Sequence, residues 1–116
     1  MAKQMMAALV IGILAASQSA AHAILVSATP EVNGTIEGPK VHIRLRFNAR
    51  IDGSRSRLRI VLPDQSVRPL ALDRQEHPGT LDSEVTGLSS GAYRLQWQVL
   101  AGDGHITRGE VPFQVK

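Results

Sequence analysis

The chain has 116 residues, of which 43% are hydrophobic and 20% charged, with no cysteine and a formal net charge of +3. This length suits one domain and is too short for a doubly wound nucleotide-binding fold or a barrel enzyme. The absence of cysteine excludes disulfides, thiolate catalysis and thiolate metal sites, so the hydrophobic core alone must hold the fold. The small positive charge does not indicate a nucleic-acid-binding protein.

Residues 1–21 differ in composition from the rest and are typical of a secretory signal peptide. Lys3 precedes an uncharged run over Met5–Ala16, and small residues follow as far as Ala23, which is the order of a basic start, an apolar stretch and a cleavage site. The apolar run is shorter than the roughly 20 residues that a membrane span needs. Small residues at the required positions permit cleavage before His22 or before Ile24. We therefore expect an exported protein, with its domain over residues 22–116 in the first case.

The sequence after residue 23 alternates apolar and polar side chains with a period of two, which predicts β-strands. In chain order the candidate strands are residues 24–28, 41–47, 58–62, 67–72, 81–85, 93–99 and 111–115. Glycine, proline, asparagine and aspartate residues separate them, and no amphipathic helix is evident. This pattern predicts an all-β, seven-stranded antiparallel immunoglobulin-like sandwich with Greek-key connections.

Two aromatic residues support this interpretation. Tyr93 opens a strand just after Ser89-Ser90-Gly91-Ala92, the position of a tyrosine corner, in which the hydroxyl bonds the backbone upstream. Trp97 lies four residues later on the same face of the strand. We expect both rings in the core and not in a ligand-binding platform.

Candidate metal ligands occur in two places. In extended backbone, residues two apart point to the same side, so the Asp103 carboxylate and the His105 imidazole would converge across Gly104, although Asp-x-His is also common in polar loops. His22 gains a second donor if it is the mature amino terminus, since a free α-amine loses its proton readily and can chelate together with the ring nitrogen. The combined nitrogen and oxygen donors of His22, His105 and Asp103 suit tetragonal Cu(II) better than Ni(II) or tetrahedral Zn(II).

The other histidines and the arginines have simpler interpretations. His42 lies on the polar side of a predicted strand and His77 in a predicted loop, so we expect both to be ordinary exposed residues. Four arginines project from the polar faces of two strands that could be neighbours: Arg44, Arg46, Arg57 and Arg59. They could dock an acidic partner or a membrane surface, and the simpler interpretation is a solvated sheet face.

Three stretches carry a resemblance to a known family. They are the start His22–Pro30, the strand Val41–Asn48, and the pattern G-x-Y-x-x-x-W-x-V of Gly91–Val99 followed by the D-x-H of Asp103–His105. The last of these is the most specific. On these residues the chain resembles the CopC-type periplasmic copper-resistance proteins over nearly all of residues 22–116.

The resemblance implies a seven-stranded β-sandwich that binds Cu(II). His22 matches the amino-terminal ligand of the family and His105 its second histidine, and Asp103 matches the aspartate in or beside the coordination plane; this favours cleavage before His22. The implied role is sequestration of copper in the periplasm or its delivery to an inner-membrane transporter of the CopD type, without enzymatic turnover. We expect a monomer that binds no nucleic acid.

Three departures from the family pattern determine which kind of copper-binding protein we expect. The acidic residue that often follows Phe-Ser in the family is missing, because Phe47 is followed by Asn48-Ala49-Arg50. The methionine-rich loop that serves Cu(I) in some members is absent, since all three methionines lie in the signal segment, and Ile106 replaces the usual proline after the histidine. We expect one Cu(II) site and no Cu(I) site.

Two other interpretations use the same residues. A histidine-brace copper oxygenase would share the donor set, but it also needs an open coordination position and a substrate-binding surface, which buried Tyr93 and Trp97 would not supply. A metal-free immunoglobulin-like interaction module would use the arginines to bind partners. Cleavage before Ile24 would remove His22 and favour that module.

Overall fold

The computed structural model of the protein describes residues 23–116; the predicted signal peptide and His22 lie outside the described residues. The described chain forms eight strands: β1 (Leu25–Thr29), β2 (Gly34–Ile36), β3 (Val41–Phe47), β4 (Ile51–Val61), β5 (Val67–Leu70), β6 (Thr80–Val85), β7 (Gly91–Ala101) and β8 (Ile106–Val115). Over these residues no helix is long and apolar enough to cross a membrane.

The strands form two sheets that enclose one core. The smaller sheet has the order β1-β3-β6 and the larger the order β2-β8-β7-β4-β5. Every pairing is antiparallel except that of β2 with β8, which is parallel from Gly34 opposite Phe113 to Ile36 opposite Val115. The predicted all-β sandwich is confirmed, with eight strands in place of seven. The additional strand, β2, has only three residues, too few to show an alternating pattern.

Strict alternation in the central strands builds the core. The odd-numbered residues of β3 and of β7 from Tyr93 onward are buried, whereas the even-numbered residues of β3 are exposed and those of β7 are half-buried or exposed, as the period of two predicts. Full burial of each aliphatic side chain contributes roughly 1.5–3 kcal/mol. In β4 the pattern breaks, because Val61 is buried beside Ile60 and Leu62 is only half-buried.

The aromatic side chains all lie in this core, which confirms the prediction for Tyr93 and Trp97. The Tyr93 hydroxyl donates to the Ser89 carbonyl oxygen at 2.8 Å, the bond of a tyrosine corner. The Trp97 ring meets Phe47 edge to face at 5.1 Å between centroids, linking the two sheets. It also lies directly over Gly109 on β8, where a Cβ atom would come within 2.6 Å of the indole Cε2. Only glycine leaves room for this ring.

The adjacency that the sequence left open for the four arginines is not found. Arg44 and Arg46 are on β3, which belongs to the three-stranded sheet, whereas Arg57 and Arg59 are on β4, in the five-stranded sheet. The connection over residues 48–50 crosses from one sheet to the other instead of closing a hairpin. The two arginine pairs therefore face solvent on opposite sides of the sandwich.

Candidate metal site

Three segments of the chain meet at one end of the sandwich. The backbone N–H of Asn48 donates to the Ile24 carbonyl at 3.0 Å, which joins the β3–β4 connection to the start of β1. The N–H of Gly102 donates to the Arg50 carbonyl at 3.1 Å, which joins the same connection to the β7–β8 turn. The beginning of the described chain and the Asp103–His105 turn therefore lie at the same end of the molecule.

The β7–β8 turn holds a carboxylate and an imidazole together. Asp103 Oδ2 lies 3.0 Å from His105 Nδ1, and Asp103 Oδ1 accepts the backbone N–H of His105 at 3.0 Å. The expected convergence of the two side chains is thus found, but the expected cause is wrong: the backbone turns here and is not extended. Gly104 has a φ of +89° and its N–H donates to the Ala101 carbonyl, a left-handed conformation that favours glycine.

The His105 imidazole is accessible from solvent. Its side chain is 58% exposed, whereas that of Asp103 is only 29% exposed. A carboxylate that holds Nδ1 of a histidine is the common companion of an imidazole that binds metal through Nε2, because it fixes the tautomer and the ring orientation. The pair has the chemistry of an oriented metal ligand.

The first described residues are tied down next to this turn. Ala23 is buried, and its carbonyl oxygen accepts a hydrogen bond from Thr107 Oγ1 at 3.4 Å. The N–H of Ile24 donates to Asn48 Oδ1 at 2.8 Å. Thr107 is two residues beyond His105 on β8. His22, which precedes Ala23 in the sequence, is outside the described residues.

Asn48 is a site residue that the sequence analysis treated only as a departure from the family pattern. Its side chain and backbone together bond both the N–H and the carbonyl of Ile24. A short amide at the end of a buried strand, before a loop, was the available signal, but nothing local indicated that its partner lies 24 residues upstream.

The described residues do not complete a metal site by themselves. Within residues 23–116 no three histidine, cysteine, aspartate or glutamate side chains gather closely enough to hold an ion. Asp103 and His105 supply a pair of potential donors. Residue 22 directly precedes the tethered Ala23.

The two remaining histidines are exposed, as expected. His42 projects from β3 with its side chain 54% exposed, and its Nε2 lies 3.7 Å from Asp82 Oδ1, which Arg44 Nε approaches more closely at 2.7 Å. His77 lies in the exposed loop before β6, where its carbonyl accepts the N–H of Thr80. Neither residue joins a metal-ligand cluster in the described chain.

Residues 25–116 match the CopC domain family. Copper resistance protein C of Xanthomonas campestris pv. juglandis is 29% identical over 111 residues, which cover 89% of this chain and 87% of that protein. Protein YobA of Escherichia coli K12 is 28% identical over 99 residues, covering 83% and 80%.

Solved structures show the same architecture. The crystal structure of CopC from Methylosinus trichosporium OB3b has a TM-score of 0.73 at 26% identity, covering 82% of this chain and 94% of that one. PcoC, a methionine-rich copper resistance protein from Escherichia coli, has a TM-score of 0.64 at 24% identity, covering 83% and 100%, which is a likeness of fold.

Proposed function

The chain belongs to the CopC family, one relative of the chain is named copper resistance protein C, and we propose on that basis that the mature protein binds one Cu(II) ion at the end of the sandwich described above. His22, as the first residue of the mature chain, supplies its α-amine and its imidazole. His105 supplies a third nitrogen. Asp103 holds the His105 ring through Nδ1, beside the coordination plane.

The observation that carries this proposal is the tethering of Ala23 beside Thr107. The hydrogen bond between Ala23 O and Thr107 Oγ1, together with the bonds between Ile24 and Asn48, fixes the chain within one residue of position 22. Thr107 lies near the start of β8, two residues after His105. These tethers support the proposal that a chelating residue at position 22 acts together with the His105 imidazole.

The donor chemistry favours the oxidised ion. An amine nitrogen and two imidazoles approach the tetragonal arrangement that Cu(II) prefers. Cu(I) prefers thiolate or thioether sulfur, whereas the sequence has no cysteine and its three methionines all precede residue 7. This supports a single Cu(II) site with no Cu(I) site.

The proposed biological role is copper sequestration in the periplasm or delivery of copper to an inner-membrane transporter of the CopD type. The proposed amino-terminal chelate requires signal-peptide cleavage before His22, and we expect the mature chain over residues 22–116 to be a monomer. Binding without turnover is favoured over an oxygenase because all four aromatic rings of the chain are buried, so no aromatic platform faces a polymeric substrate.

Titration of the mature protein with Cu(II) tests the site. Electron paramagnetic resonance should show one axial Cu(II) centre with nitrogen ligands, and fluorescence of Trp97, the only tryptophan, should report the stoichiometry. His105→Ala should abolish tight binding. Asp103→Asn should weaken it by about 10- to 100-fold, the usual cost of losing a residue that orients a ligand.

The exposed His42 gives a matched control, since it lies on β3 outside the site. His42→Ala should bind copper like the unsubstituted protein. Equal affinities for the His105→Ala and His42→Ala variants would contradict the assignment. Intact-mass measurement of the exported protein should give a chain that begins at His22; a chain beginning at Ile24 would remove the proposed chelate.

A further inference from the structure

The outer face of the five-stranded sheet carries a cluster of arginines that copper binding does not use. Arg57 on β4 lies opposite Gln98 on β7, which in turn lies opposite Arg108 on β8, so these residues form one row across three strands. Arg59 follows on the same side of β4. Arg57, Arg59 and Arg108, called here the arginine face, line a depression of about 400 Å³.

The one carboxylate that lines this depression, that of Glu110, already has hydrogen-bond partners. Glu110 Oε1 accepts hydrogen bonds at 3.0 Å from Arg94 Nη1 and from Gln96 Nε2. The bond from Gln96 and then the charge of Arg94 hold the pKa of Glu110 below its usual value, so this carboxylate stays ionised but is paired. None of the three guanidinium groups of the arginine face forms an ion pair with a carboxylate of residues 23–116.

The three-stranded sheet provides a contrast within the same molecule. On its outer face Lys40 lies 3.6 Å from Glu84, and Arg44 lies 2.7 Å from Asp82. A sheet face that serves only solubility mixes both signs of charge in this way. The arginine face instead surrounds the depression with three guanidinium groups, while the one carboxylate of its lining, Glu110, is already paired with Arg94, and this excess of positive charge attracts anions.

We infer that the arginine face binds the phosphodiester groups of anionic phospholipids and seats the protein on a membrane surface. Guanidinium groups match phosphate oxygens with paired N–H donors. Arg57 and Arg108 are two strand spacings apart, about 10 Å, which spreads positive charge over a sheet surface. Ile106, on the same side of β8 as Arg108, is 51% exposed and adds an aliphatic contact of the kind that enters the headgroup region.

Binding through the arginine face also determines where the candidate metal site lies relative to the membrane. Ile106 directly follows His105, so the arginine face is continuous with the β7–β8 turn. A protein held by this face presents that turn near the membrane surface. None of the residues of the face is a proposed copper ligand, so the inference stands or falls separately from copper binding.

Vesicle co-sedimentation of the mature protein tests the inference. We expect binding to vesicles of phosphatidylcholine with phosphatidylglycerol, no binding to phosphatidylcholine alone, and loss of binding as salt shortens the Debye length. The double variant Arg57→Gln/Arg59→Gln should bind roughly 25-fold more weakly, since each arginine near an anionic surface contributes about fivefold. The matched control is Arg44→Gln/Arg46→Gln on the other sheet, which should bind normally.

Further measurements separate the sources of the anion. Thermal unfolding and Cu(II) titration of both double variants should match the unsubstituted protein, which shows that the fold and metal site persist. Equal binding to neutral vesicles, or equal losses in the two double variants, would overturn the inference. Complete displacement from vesicles by millimolar glycerol phosphate would indicate a site for a free phosphate ester, and binding to polyglutamate but not to lipid would indicate an acidic protein; either result would overturn the lipid assignment.

Discussion

Replacement of Asn48 by alanine should loosen the start of β1 and weaken copper binding together. The Asn48 side chain accepts the N–H of Ile24 through Oδ1 at 2.8 Å, two residues after the proposed chelating His22. Alanine removes this acceptor but keeps the backbone bond from residue 48 to the Ile24 carbonyl. The substitution therefore removes one of the tethers of the amino-terminal segment and leaves the others.

The expected losses of copper affinity and of stability follow from the free energy of that single hydrogen bond. A side-chain hydrogen bond of this kind contributes ~1 kcal/mol, which corresponds to an approximately fivefold shift toward an open terminus. The apparent Kd for Cu(II) is inversely proportional to the fraction of the protein in the competent form, so we expect a weakening of at most about fivefold. The same loss should lower Tm by about 4–8 °C in a domain of this size.

Asn48→Asp is the matched control, because its carboxylate keeps an acceptor oxygen in the same position. Isothermal titration with Cu(II) and thermal unfolding followed by circular dichroism measure both quantities. The aspartate variant should retain the melting temperature of the unsubstituted protein and, because it adds a negative charge at the same end of the sandwich as the proposed Cu(II) site, should bind copper at least as tightly. An alanine variant with unchanged Tm and unchanged affinity would refute the role of this tether.

Three further outcomes are expected. Gly109→Ala places a methyl group against the indole ring that covers it and should destabilise the fold by about 1–3 kcal/mol in urea unfolding, whereas Gly102→Ala, with only an ordinary 3.7 Å contact, should be nearly neutral. Tyr93→Phe should lower the free energy of unfolding by about 1 kcal/mol through loss of its buried hydrogen bond. Hydrogen bonding from Gln96 lowers the pKa of Glu110 in the folded state, so its stabilising contribution is complete above the unfolded pKa of ~4.3 and is lost as pH falls through the lower folded pKa; Glu110→Gln should flatten the acid limb of the stability curve.

The sequence alone was sufficient to predict those strands whose alternation of apolar and polar residues is determined by burial of one face. A strand with one face in the core must alternate, so the inward and outward residues of β3 could be assigned without a structure. The tyrosine corner was equally predictable, since the bond from Tyr93 spans only four residues. Features of this kind are local, and their signals lie within one stretch of chain.

Strand pairing and long-range polar contacts were not predictable in the same way. Nothing in the alternation of β3 and β4 indicates that the chain changes sheets between them, and this is why the sequence left open whether the four arginines are neighbours. The bond from Asn48 to Ile24 joins residues 24 apart and has no local signature. At the site, the proximity of Asp103 and His105 was predicted correctly, but the prediction assumed an extended backbone where the chain in fact turns. The ligand role of His22 remains a prediction.

The parallel pairing of β2 with β8 affects when the domain can finish folding during synthesis. Residues 34–36 pair with residues 113–115, 79 positions later in the sequence, and Phe113 and Val115 also fill the core. Until residues 113–115 have been made, the larger sheet therefore has no partner for β2, and the interior lacks two of its side chains. Because contacts so distant in sequence form slowly, we expect β2 to pair with β8 later than the neighbouring strands β7 and β8 pair with each other.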